Sequence, residues 1–155
     1  MDIFAHGLWS FALFHNSNDV WIAVLFGVMP DILSFGILFF INIFTGKIPK
    51  GPPALSSLPK WIFTAYNIMH SLVLFAVIFI LVFLTTKSWY WPMLAWAIHI
   101  LVDIPTHSTK FFPTPFLWPI SKYRFNGFSW ASKWFMLLNY AGLVITFILI
   151  YLNKI

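Results

Sequence analysis

Residues 61–86 read WIFTAYNIMHSLVLFAVIFILVFLTT. The stretch holds no Asp, Glu, Lys or Arg. As a helix rising about 1.5 Å per residue it is long enough to cross a hydrocarbon core of about 30 Å. One imidazole, His70, sits inside it. The rest of the chain is of the same kind: of its 155 residues 61% are hydrophobic, 21% aromatic and only 8% charged. A soluble domain of this size has too little interior to hide that much apolar surface. The reading is therefore an integral membrane protein, a single membrane domain over residues 1–155.

Working outward, residues 20–44 form a second span, with Pro30 predicting a kink beside Asp31 because proline removes a backbone donor and crowds the preceding turn. Residues 89–104, ended by Pro105, and residues 133–152 complete the set. Residues 3–15 make a helix only about 20 Å long, a partial span. The connections are NSND (16–19), a Pro-, Gly- and Ser-rich loop (45–60), TTKS (85–88) and a long Pro- and aromatic-rich segment (105–132). The predicted fold is all-α: an integral membrane helix bundle of four spanning helices plus a short N-terminal partial span, with an aromatic/Pro-rich interfacial loop. No internal repeat is visible.

The nine Lys and Arg face four Asp and no Glu, a net charge of +5. They are scattered through loops without forming a basic face, so topology explains them and nucleic acid is excluded as a partner. Lys47, Lys50, Lys60, Lys110, Lys122, Arg124 and Lys133 fall on one side, and Lys87 and Lys154 on the other. The positive-inside rule puts the first group in the cytoplasm. Cysteine is absent, so disulfides and thiolate metal sites are excluded. The N-terminus lacks a basic n-region and a small-residue cleavage site, so the first segment is expected to be retained.

Ionisable residues are costly in lipid, and their depths agree. Counted from the nearest turns, His6 lies about nine or ten residues down, Asp31 and His99 about eleven and His70 about ten, each roughly 15 Å deep at helical rise. His99 and Asp103, at i and i+4, share a helix face. His107, beyond Pro105, can fold back toward them from a loop. Imidazoles and carboxylates converging from several helices suit a divalent cation, with Zn²⁺ favoured by the nitrogen share. The expected ligands are His6, Asp31, His70, His99, Asp103 and His107, with Asp103 the second carboxylate ligand or the general base. Taken singly, a membrane histidine can instead bridge two helices, and Asp31 can cap a restarted helix. His15, beside the NSND turn, reads as interfacial, as do Asp2 and Asp19.

Trp and Tyr near the segment ends read as interfacial belts. In the loop FFPTPFLWPISKYRFNGFSW (111–130), Lys122 and Arg124 could contact an anionic head group or serve as positive-inside charges.

FAHGLWS, GVMPDI, IMHS, IHILVDIPTHS and FLWPISKYRF occur in that order. Together they resemble the motifs of the YdjM-type family of inner-membrane-bound, predicted metal-dependent hydrolases. The resemblance implies ligand or catalytic roles for His6, Asp31, His70, His99 and Asp103, with Ser71 a supporting partner. The family pattern has a second Asp where this chain has Leu33, and His-Arg-Gly where it has Ala65, Tyr66 and Asn67.

The expected function is a membrane-embedded, metal-dependent hydrolase of a lipid ester or phosphoester in the cell inner membrane. A lipid can enter a half-buried site sideways, whereas a soluble polymer cannot. The rival reading is a transporter or a metal- or proton-handling protein using the same His/Asp cluster. No inverted repeat accompanies it.

Overall fold

The computed structural model describes residues 1–47 and 55–155. Lys50 and the Pro-rich middle of the 45–60 loop lie outside the described residues. Every regular element among the described residues is helical. Helix α1 (Ile3–Phe14) starts at Asp2, whose carboxylate accepts from the Ala5 amide at 3.0 Å, satisfying a donor that the first turn leaves free. The 16–19 turn reverses the chain into α2 (Val20–Asp31), which continues through a π turn (Ile32–Gly36) into α3 (Ile37–Phe44).

Pro30 therefore does not interrupt the span. A π turn follows at once, the Ser34 hydroxyl donates to the Pro30 carbonyl at 2.7 Å, and 25 residues run on as one helix. The 61–86 stretch behaves in the opposite way. It is two helices, α4 (Lys60–Met69) and α5 (Leu72–Thr86), bent by 55° at His70 and Ser71. Ser71 is extended and caps α5, its hydroxyl accepting from the Leu74 amide at 3.1 Å and donating to the Trp118 carbonyl. The Leu72 amide donates to Phe116 O at 3.0 Å, and the Trp96 indole donates to Met69 O at 2.7 Å. Partners from distant parts of the chain thus satisfy the backbone groups that the break exposes.

The expected span at 89–104 is shorter than a span. A 3₁₀ turn (Trp91–Met93) leads into α6 (Leu94–Thr106), and its 13 residues reach only about 20 Å. Pro105 lies inside its last turn. The helix is apolar because it is wrapped by protein: Ala95, Trp96, His99, Ile100, Asp103 and Thr106 are all buried. Four spanning helices are accordingly corrected to two, Val20–Phe44 and α7 (Lys133–Tyr151), or three if the bent α4–α5 pair counts as one. Those helices are long and apolar enough to cross a membrane.

The α2 helix and its π turn form the hub, packing on α1, α4 and α6, while α7 lies against α1. The contact between α1 and α2 is close at Gly27, where an added Cβ would fall 1.9 Å from the Ser10 hydroxyl. Trp9 Nε1 donates to Asn139 Oδ1 at 2.9 Å, tying α1 to α7. After α6 the chain runs back along its end. The amides of Gly127, Phe128 and Trp130 donate at 2.9–3.0 Å to the carbonyls of His107, Pro105 and Thr106. This covers acceptors that a helix C-terminus otherwise leaves bare.

Candidate metal centre

Asp31, His70, His99 and Asp103 come from the end of α2, the α4–α5 break and one face of α6. One ligand atom from each lies within 4.8 Å of all the others. His70 Nε2 and His99 Nε2 are 3.2 Å apart. Asp103 Oδ2 is 3.3 Å from His99 Nε2 and 3.7 Å from His70 Nε2. Asp31 Oδ1 stands slightly farther off, 3.7 Å from His70 Nε2 and 3.9 Å from His99 Nε2. His70, His99 and Asp103 are fully enclosed, whereas the Asp31 side chain keeps 20% of its exposure.

The hydrogen bonds decide which atoms face inward. His99 Nδ1 donates to Gly27 O at 2.7 Å and His70 Nδ1 to Tyr66 O at 3.2 Å. In the neutral imidazoles both Nε2 atoms then present lone pairs to the cluster. Asp103 Oδ2 is buried and has no hydrogen-bond partner. Three acceptor atoms facing one another in a low-dielectric interior repel unless a proton or a metal cation lies among them. Tetrahedral Zn²⁺ ligands at about 2.0–2.1 Å would stand about 3.3–3.4 Å apart, close to the edges seen here. The His/Asp group can hold a metal ion.

The other predicted residues gather around Asp103. His6 Nε2 donates to its second oxygen, Oδ1, at 2.9 Å, and the His6 ring stacks on His99 with centroids 3.6 Å apart. The Met1 nitrogen also donates to Oδ1 and, at 3.1 Å, to Thr106 Oγ1. His107 turns back onto α6, its Nδ1 donating to the Asp103 carbonyl at 3.2 Å and lying 3.6 Å from Oδ1. His6 and His107 thus flank the four-residue group on the Oδ1 side. His15 is remote, bonded to Ala12 O at 2.8 Å beside the 16–19 turn.

Ser71 serves the backbone of the α4–α5 break, as described above. Lys122 is exposed, and Arg124 reaches Asn67 Oδ1 at 3.4 Å. Partial burial lowers the Arg124 pKa, but an arginine keeps its charge at neutral pH.

No family model matches the chain, and neither the curated proteins nor the solved structures yield a match.

A cavity of about 430 Å³ opens beside the centre. Asp31, Tyr66 and His107 line it together with Phe35, Phe39 and Phe112. Two contributors to the centre are not metal-ligand residue types. The Tyr66 ring stacks on His70, with centroids 3.9 Å apart, and the Gly27 carbonyl orients His99. Tyr66 leaves a trace in the sequence, since it stands four residues before His70 on the same helix face. Gly27 leaves none.

Proposed function

We propose that the protein is a metal-dependent hydrolase of membrane lipid esters or phosphoesters. The observation that carries this reading is a buried triangle of acceptors, His70 Nε2, His99 Nε2 and Asp103 Oδ2, whose neighbour Asp31 is the exposed member and lines a cavity. Three protein ligands and one open position are the usual pattern of a catalytic zinc site. A divalent cation held there, zinc by the nitrogen share, would bring the pKa of a bound water toward neutrality and polarise the scissile group.

In this reading Asp103 is a ligand, because its Oδ1 is already occupied by His6 and the Met1 nitrogen. Asp31 is the general base, being the carboxylate that meets the cavity. Asp31 Oδ1 takes a proton from the attacking water and delivers it to the leaving oxygen. His6 is a positioning residue, holding Asp103 through Oδ1 so that Oδ2 points inward.

The resemblance to the YdjM-type family supports the same chemistry and an inner-membrane location, with the basic loops on the cytoplasmic face. Lys122 and Arg124 then lie near anionic head groups, and the substrate arrives from the bilayer.

The test is lipid hydrolysis by purified, metal-loaded protein in a defined lipid mixture, with metal content measured alongside. Asp31→Asn should retain the metal and lose about 10²–10⁴-fold in rate, the contribution of a general base. His99→Ala should lose the metal. Failure of loaded wild-type protein to cleave any membrane lipid class would overturn the proposal.

A further inference from the structure

We infer that the cavity beside Asp31 is an acyl-chain pocket, so that the bond cleaved is the carboxylic ester at the head of that chain and not a phosphoester. The inference rests on the hydrolase reading for the reaction, and on the walls of the cavity for the substrate class.

Those walls are aromatic and aliphatic. Phe35 and Phe112 meet edge to face with ring centroids 4.6 Å apart, and Phe4, Phe39, Phe111 and Trp130 also line the cavity. Its carboxylate-bearing residues are Asp31 and Asp2. A phosphate entering here would lose its hydration among rings, and the carboxylates of Asp31 and Asp103 already offset the charge of a divalent cation at the far end. Lys122 and Arg124, which could neutralise the phosphate, are not among the lining residues. An alkyl chain meets neither penalty, because it has no hydration shell or charge to give up among rings.

Access fits the same occupant. Phe4 is 76% exposed and Phe39 55%, so the cavity has a rim of large, exposed apolar side chains. The end bearing Asp31 and His107 is the polar one. A chain drawn in from a membrane would place its terminal carbonyl at that end.

Gly36 leaves room in the pocket wall. A Cβ there would meet nothing nearer than the Asp31 carbonyl at 3.5 Å and Ile32 at 3.6 Å, ordinary contacts that the π turn can accept.

In the reaction, the water oxygen bonds to the acyl carbon as Asp31 removes its proton. The bond from that carbon to the alcohol oxygen breaks, with the electron pair leaving on oxygen. The proton held by Asp31 passes to this oxygen, giving a fatty acid and an alcohol.

The experiment uses full-length, zinc-loaded protein in detergent with 4-nitrophenyl acetate, octanoate and tetradecanoate, and an alkyl 4-nitrophenyl phosphate. The tetradecanoate should exceed the acetate in kcat/KM by about 10-fold or more, the scale on which an apolar pocket discriminates. Gly36→Leu should lower that ratio by about 10-fold or more, with Gly36→Ala between, at unchanged metal content. Cleavage that ignores chain length in all three proteins, or that favours the phosphate diester, would overturn the pocket while leaving a hydrolase.

Cleavage of neither ester class would instead sink the hydrolase reading, and binding then judges the pocket. A brominated fatty acid should quench Trp130 fluorescence, measured as the difference from Trp130→Phe, and Gly36→Leu should abolish that quenching. No quenching in the wild type would overturn the inference.

Discussion

His99 donates through Nδ1 to the Gly27 carbonyl at 2.7 Å, so the position of α2 determines which ring nitrogen turns toward the metal-binding group. The same glycine lies so near Ser10 that any Cβ would collide with it. Helix packing and ligand orientation are therefore one variable at this residue.

Gly27→Ala should lower both thermal stability and metal affinity, the latter by about 10–100-fold as for other groups that orient a ligand. Adding Ser10→Gly removes the atoms struck and should restore part of both. Metal titration and thermal unfolding in detergent check this. Independent, additive effects of the two substitutions would contradict the coupling.

His6 can be separated from the ligands by what replaces it. His6→Leu should weaken metal binding by about 10–100-fold, whereas His6→Gln, which keeps a donor for Asp103 Oδ1, should recover much of the loss. Competition against a chelating dye measures both variants. Complete loss of metal in the two alike would return His6 to the ligand set.

Asp103→Asn removes the anion while keeping one acceptor oxygen. Metal content should fall sharply, in contrast to Asp31→Asn. Elemental analysis of the two purified variants decides, and a metal-replete but inactive Asp103→Asn protein would exchange the roles of the two carboxylates.

The broken helix makes a prediction about stability alone. Ser71→Ala removes the α5 cap and a donor to Trp118 O, and should cost about 0.5–2 kcal/mol. Reversible unfolding in detergent measures the loss. An unchanged stability would mean that Phe116 and Trp96 hold the break without it.

Orientation is open to chemical labelling because the chain has no cysteine. An impermeant thiol reagent on intact cells should label Asn18→Cys, while Ser57→Cys and Ser121→Cys should react only after permeabilisation. The reverse pattern would invert the topology.

Much of the centre is legible in the sequence, because ionisable residues in apolar helices are few and their depth can be counted from the flanking turns. The depth count brings together His6, Asp31, His70 and His99, and the i,i+4 spacing adds Asp103; four of these form the compact group, with His6 beside it on Asp103. The bend at His70 is not legible, since what stabilises it is remote: the Trp96 indole and the Phe116 and Trp118 carbonyls. The length of α6 misleads for a related reason. Ile100 and Trp96 are buried by neighbouring helices, and an apolar side chain looks the same whether lipid or protein covers it. Pro30 predicts a kink by its own chemistry, whereas the π turn that follows it leaves no mark in the residue pattern.

The π turn at Ile32–Gly36 also acts as an inserted residue in a helical count. Because a π turn closes over one more residue than an α turn, deleting one position between Leu33 and Gly36 would return the segment to α geometry and leave the residues on either side in nearly their present register. Asp31 would stay beside His70 and Phe39 on the cavity wall, whereas a deletion elsewhere along the helix would turn one against the other by about 100°. The π turn is thus a place where this helix can change length while the carboxylate keeps its relation to the wall it faces.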